Sequence, residues 1–198
     1  MLMTPTKIPF LYLLLLVQGC AVSTQITHTP RSSVEQQLLV RALERALANL
    51  DPQQFKGKTV TVDFFGLTPD KDFAKEFFTA WLQSQRVRIA TESKQAQLRL
   101  KVFATVLGVD RAQSFFGTPA FTVPLINFVV PEIPLYKDVK HSGHAEIKIT
   151  TIDGETGEFV GASAPGIGQA KHDDFTILIV VHFTRTDLEK QQWDLGPG

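Results

Sequence analysis

One cysteine stands among the 198 residues, so the chain cannot staple itself with an internal disulfide. Charge of one sign is not in excess either. Twenty basic side chains balance twenty acidic ones, and a formal net charge of zero removes the bulk electrostatic argument for a nucleic-acid binder. No apolar run reaches the roughly 20 residues that a membrane-crossing helix needs. There is no internal repeat and no coiled-coil heptad pattern. Tryptophan and tyrosine are scarce at two each, but phenylalanine occurs 15 times, which predicts a core of aromatic wedges. With 43% hydrophobic and 20% charged residues, the chain is neither disordered as a whole nor short of core material. Its length predicts one domain.

The amino terminus reads as an export signal over residues 1–19. Lys7 carries its only side-chain charge, and Ile8 to Val17 form a ten-residue apolar run, too short to span a bilayer. The run ends in Val17-Gln18-Gly19-Cys20, which resembles the lipobox of bacterial lipoproteins. The resemblance implies cleavage before Cys20, a diacylglyceryl thioether on its sulfur and an acylated (palmitate-type) amino group. Two or more acyl chains give a durable anchor, at about 0.8 kcal/mol per buried CH₂. Ala21 follows where an Asp would favour retention at the inner membrane in the enteric sorting rule, so the expected destination is the outer membrane, periplasmic face. Residues 20–31 then read as a lipidated tether, 32–190 as a single periplasmic α/β domain and 191–198 as a flexible tail.

Within the domain, Ser32 and Ser33 offer N-caps, with Glu35 and Gln36 three residues on completing either capping box. Leu38/Leu39, Ala42/Leu43, Ala46/Leu47 and Leu50 give the helix one apolar face until Asp51-Pro52 stops it. Thr59 to Phe65 alternates as a strand with Val60, Val62 and Phe64 on one side. Thr68-Pro69 opens a second helix in which Phe73, Phe77 and Trp81 form one row and Ala74, Phe78 and Leu82 the next. Strands follow at Val87 to Ala90 and Gln97 to Leu107, the second helix making a parallel crossover. His144 to Asp153, the turn Gly154-Glu155-Thr156-Gly157 and Glu158 to Ala162 read as a hairpin. Phe175 to Phe183, apolar on both faces, reads as one central strand covered on both sides. The expected fold is an α/β (α+β) sandwich, a mixed five- or six-stranded sheet packed by two helices.

Glu35-Gln36-Gln37-Leu38-Leu39, Gly57-Lys58-Thr59-Val60-Thr61-Val62-Asp63 and Gln97-Leu98-Arg99-Leu100 together resemble an uncharacterised family of small bacterial outer-membrane lipoproteins, known as a domain of unknown function. In element order, and in the turn Asp153-Gly154-Glu155-Thr156-Gly157-Glu158, the chain is distantly similar to periplasmic α/β lipoproteins such as the curli secretion channel lipoprotein and to amino-terminal domains of the TolB type. Channel function is not carried over, because residues 108–140 do not alternate cleanly as membrane-spanning strands of about 9 to 11 residues would.

Chemistry-bearing residues are few. His141 and His144, three apart on an extended segment, face opposite sides and meet one metal only through a bend, so they read as surface and strand-entry histidines ahead of a metal role, and His172 precedes Asp173 and Asp174. His182 reads as a hydrogen-bonded strand-end residue. Gly161-Ala162-Ser163-Ala164-Pro165 approaches a nucleophile elbow but ends in proline with no helix after it. Gly166-Ile167-Gly168 lacks the strand and helix that would cradle phosphate. Asp70, Asp72 and Glu76 complement a helix dipole. No catalytic set, metal or cofactor is expected.

Two features exceed what a fold demands. Arg86 and Arg88 alternate with Val87 and Ile89, and Arg99 and Lys101 with Leu98 and Leu100. If those strands pair, four cations share a sheet face, which reads first as a solvated face whose charges deter edge aggregation and otherwise as a face able to meet an anionic envelope partner, such as lipid A phosphate, a peptidoglycan carboxylate or an acidic protein patch. The other feature is Ala112 to Pro131, twenty residues without a charge. It reads as a long loop over the domain's own core, as a surface for a partner or for oligomerisation, or as a segment dipping into lipid. The candidate contact residues are Phe115, Phe116, Phe121, Phe128 and Tyr136. The expected protein is non-enzymatic, anchored through Cys20, and acts through contacts with an envelope protein or with further copies of itself, as an assembly or accessory subunit.

Overall fold

The computed structural model describes residues 21–23, 31–91 and 96–188. The export signal, Cys20 and the expected tail at 191–198 lie outside the described residues. In chain order the elements are β1 (Ala21–Ser23), α1 (Ser33–Ala48), a 3-10 turn (Gln53–Phe55), β2 (Thr59–Gly66), α2 (Lys71–Ser84), β3 (Arg88–Ile89), β4 (Leu98–Thr118), β5 (Phe121–Val123), β6 (Phe128–Val130), β7 (Ile133–Asp153), β8 (Phe159–Ala162), β9 (Gly166–Ile177) and β10 (Val181–Thr186). The fold is α+β, as the pattern predicts. The sheet runs β10-β9-β7-β4-β2-β3, with β1 attached to β4 and β8 to β7, while β5 and β6 pair apart. The chain divides into two compact units and, within the described residues, passes from one to the other at Asp110/Arg111, Lys140/His141, His172/Asp173 and Arg185/Thr186.

The larger unit holds both helices. Ser32 caps α1 as expected: Glu35 N donates to Ser32 Oγ at 3.3 Å, and Ser32 N donates to Glu35 Oε2 at 2.9 Å. Leu38, Leu39, Ala42, Leu43, Ala46 and Leu47 are buried along one stripe, the face that the four-residue recurrence demands. In α2 the row Ala74, Phe78 and Leu82 forms the core, whereas Phe73 is exposed. Phe78 packs between Phe64 and Trp81, at ring distances of 6.2 and 5.6 Å. β2 pairs in parallel with β3 and with β4, from Val60↔Leu98 to Gly66↔Ala104, so α2 is a parallel crossover. Val60, Leu98, Leu100, Val102, Ala145, Ile147 and Ile149 join both helices in one core.

Helix α1 lies close enough to the strands to require glycine beneath it. A Cβ on Gly143 would meet the Leu38 carbonyl, one on Gly166 the Ala46 carbonyl and one on Gly168 the Ala42 carbonyl. The glycines of the Gly166-Ile167-Gly168 stretch thus serve helix packing. The β7–β8 hairpin forms where predicted, with Asp153 Oδ1 accepting from Glu155 N at 3.0 Å and from Thr156 N at 2.9 Å. Gly157 supplies the positive φ, at 75°.

The smaller unit comprises the described parts of Met1–Thr27, Arg111–Lys140 and Asp173–Arg185. It differs most from the sequence reading. Ala112 to Pro131 is not a structureless loop: β4 continues to Thr118, β5 and β6 form a hairpin with Phe121 opposite Val130, and β7 already starts at Ile133. Phe175 to Phe183 is not one covered central strand. β9 ends at Ile177, the chain turns through 178–180 and β10 returns, so that Phe175 stacks on Phe183 at 4.8 Å. Within the stretch expected as a tether, Ala21–Ser23 form β1, antiparallel to β4 with Ala21 opposite Phe115. Of the buried hydrophobic residues described, none belongs to this unit; its one buried residue is Asp138.

Candidate functional site

The chemistry-bearing residues have structural partners. Ser163 closes the end of β8: its N donates to Ile149 O at 2.8 Å, and its Oγ accepts from Ile149 N at 3.1 Å. His141 and His172 lie ring to ring at 6.3 Å, whereas His144 faces Asp110 at 3.7 Å, so the three do not converge. Among the described residues no group of three or more His, Cys, Asp or Glu side chains is placed to hold a metal. Asp70 pairs with Arg31 at 2.7 Å beside a cleft of about 360 Å³ lined by Gln36, Leu39, Val40 and Phe73. Nothing in that cleft combines a nucleophile with a base.

The cations expected on one sheet face are only partly brought together. β3 and β4 do not pair; β2 lies between them. Register sets Arg88 opposite Thr59, Arg99 opposite Thr61 and Lys101 opposite Asp63, so these three do share the face away from the helices. Arg86 precedes β3 at a φ of 64° and lines a separate cleft with Pro52, Gln53, Lys56, Ser84 and Gln85. Arg99 is held by Asp63 at 2.5 Å, and Arg88 donates to Gly57 O at 3.0 Å and Thr59 Oγ1 at 3.2 Å. On the same face Lys148 pairs with Glu146 at 2.9 Å, which holds that carboxyl below its ordinary range. Phe65 and Phe103, stacked at 5.2 Å and both exposed, interrupt the face with apolar surface.

The apolar candidates, by contrast, all fall in the smaller unit. Phe115 is half-buried in β4; Phe116, Phe121, Phe128 and Tyr136 are exposed on β4, β5, β6 and β7. Tyr136 donates through its hydroxyl to Asp138 Oδ2 at 3.4 Å, and Lys140 Nζ meets the same oxygen at 2.9 Å. That hydrogen bond raises the Lys140 ammonium above its ordinary value. Leu125, Ile126 and Val129 of the charge-free run are exposed as well, and the structure adds residues that the sequence reading did not assign to this surface: Ile133 and Leu135, and the run Leu178-Ile179-Val180-Val181 with Phe183, all exposed. Fourteen of the twenty-two exposed large hydrophobic residues belong to this small unit.

The β9–β10 hairpin is two-faced. Thr176 Oγ1 meets His182 Nδ1 at 3.0 Å and Thr184 Oγ1 donates to Asp174 Oδ1 at 2.6 Å on one side, while Phe175 stacks on Phe183 on the other. Alternation there separates a polar from an apolar face. Among the described residues no helix is long and apolar enough to cross a membrane.

Comparison with protein-family models finds no family that matches, and comparison with curated proteins finds no relative. The functional reading therefore rests on the residues themselves.

Proposed function

We propose that the chain is a non-enzymatic, lipid-anchored envelope protein, held through acyl chains on Cys20 at the periplasmic face of the outer membrane, and that it serves as an assembly or accessory subunit through the smaller unit. The observation that carries this reading is a unit of strands without a hydrophobic core among its described residues. A small antiparallel ribbon is at best marginal in water unless something covers its apolar side. Among its described residues that unit buries only Asp138 and exposes fourteen large hydrophobic side chains. Patches of this kind mark interaction surfaces. An anionic-ligand role for Arg86, Arg88, Arg99 and Lys101 has less support, because Asp63 neutralises Arg99 and Arg86 lies off the shared face.

The test is the double variant Phe115→Ser with Phe116→Ser in the acyl-anchored protein, isolated from detergent-solubilised membranes. Removal of an interface leaves the fold and anchor intact and abolishes the co-purifying protein or the oligomer, in a salt-independent manner. Unchanged association would sink the reading. So would association lost at moderate salt in the unmutated chain, the behaviour of an anionic ligand on the basic face.

A further inference from the structure

The β9–β10 turn combines two observations that local turn chemistry does not explain. Leu178 and Ile179 have φ of 49° and 69°. A tight hairpin places such values on Asn, Asp or Gly, because a Cβ disfavours them and a β-branched residue disfavours them most. The chain nevertheless sets Leu and Ile there. Leu178, Ile179, Val180 and Val181 are 60%, 50%, 77% and 49% exposed, so these side chains are at most about half covered by the described chain in exchange for the strained backbone. Their amides are tied down, with Leu178 N donating to Leu135 O at 2.9 Å and Ile179 N to Pro134 O at 3.1 Å. The turn is therefore a fixed protrusion of aliphatic groups, flanked by the exposed Ile133 and Leu135.

We propose that this tip, Leu178 to Val181, inserts into the acyl region of a lipid bilayer. Its chemistry favours lipid over protein as the occupant. Protein hot spots favour Trp, Tyr and Arg, and Leu and Val are under-represented among them. The tip has only aliphatic groups, pointing from a convex turn, which suits a solvent without directional contacts. No Asp, Glu, Lys or Arg occurs from Phe175 to Phe183, and Tyr136, Lys137, Lys140 and Arg185 lie in the flanking strand segments of the same unit, residue types that settle at a membrane–water boundary, Lys137 and Lys140 being paired there with Glu132 and Asp138. The chain's own amino terminus points the same way. Ala21, which follows Cys20 in the sequence, pairs with Phe115 of this unit. This last point alone rests on the lipid-anchor reading; the turn chemistry does not.

The experiment uses the mature chain carrying Cys20→Ser, so that no acyl chain contributes, with vesicles of phosphatidylethanolamine and phosphatidylglycerol and, separately, of phosphatidylcholine. The parent should float with both vesicle types. Leu178→Asn with Ile179→Gly restores favourable turn residues, so the variant should melt no lower than the parent while binding vesicles at least about tenfold more weakly, the loss expected when two aliphatic side chains no longer leave water. Val180→Cys in the same background places its one thiol at the tip. A polarity-sensitive label there should shift to the blue and become shielded from iodide only when vesicles are added. A parent that stays with the lipid-free fraction, or a turn variant that binds equally well, overturns the proposal. A label already shielded without vesicles, with a doubled mass by light scattering, overturns it in favour of a second copy. Unchanged partner association in the Phe115→Ser, Phe116→Ser protein, with vesicle insertion of the parent observed, counts against the assembly role alone; loss of association in that variant, with a parent that does not insert, counts against the tip alone.

Discussion

Asp187 shows how a single carboxylate fixes the end of the described chain. Its Oδ1 accepts from Lys171 N at 3.0 Å and its Oδ2 pairs with Arg45 at 2.6 Å, joining β9, α1 and the segment after β10. Partial burial pushes its pKa up, but the hydrogen bonds from Arg45 and Lys171 outweigh that, and the carboxyl sits below its ordinary 3.8. A folded value below the unfolded one means that the contribution is complete above about 3.8 and is lost as pH falls through the depressed value. Both side chains are more than a third exposed, so solvent screening keeps it small. Thermal melts of Asp187→Asn and the parent should therefore differ modestly at neutral pH and converge as the pH falls well below 3.8. A difference independent of pH would mean that the pair contributes through shape alone. Arg45 and Asp187 lie 142 positions apart, and no local pattern announces such a contact.

At the scale of elements, the packing of α1 on β7 and β9 depends on glycine. Gly168→Val should destabilise the chain by about 1–3 kcal/mol in urea unfolding, since the Ala42 carbonyl belongs to a rigid helix and has no room to withdraw. Gly161→Ala, where no atom lies within 4 Å, is the control and should be nearly neutral. Equal effects would mean that the close approach is not real. The same contrast explains what was legible in the sequence. Alternation and the four-residue recurrence reveal α1, β2 and the β7–β8 hairpin because each buries a face in the larger unit's core, which imposes a period on its residues. Strands of the smaller unit have no core to face, so nothing obliges Gln113, Ser114 or Thr118 to alternate, and β4 and β7 read as far shorter than their 21 residues. The β9–β10 turn was missed for a related reason: Leu178 and Ile179 stand where Asn-Gly would have marked it. Of the candidate site, Phe115, Phe116, Phe121, Phe128 and Tyr136 were recognisable from the charge-free run and its continuation. Ile133, Leu135 and the 178–183 patch became visible only once the strands were placed.

For the molecule as a whole, the question is what keeps a charge-balanced chain with so much exposed apolar surface from aggregating. The proposed anchorage to a membrane would answer it, because lipid or a neighbouring envelope protein would then cover the smaller unit. The anchor itself is the remaining prediction. Cys20 closes the only long apolar run, so signal cleavage should leave 179 residues beginning at Cys20, carrying 19 basic and 20 acidic side chains and therefore no bulk charge to hold the chain at an anionic surface. Intact-mass analysis of the membrane fraction should show the loss of residues 1–19 and the mass of a diacylglyceryl group, with a further acyl group on the amino terminus. Alkaline carbonate should fail to extract this form, since two or more acyl chains anchor stably. Cys20→Ser should be released by the same wash, because a short aliphatic tip binds lipid reversibly and does not substitute for acyl chains. A mature chain that keeps an unmodified Cys20 would defeat the lipid-anchor prediction, and a Cys20→Ser form that resists carbonate as well as the parent does would show that acyl chains are not what holds the protein at the membrane.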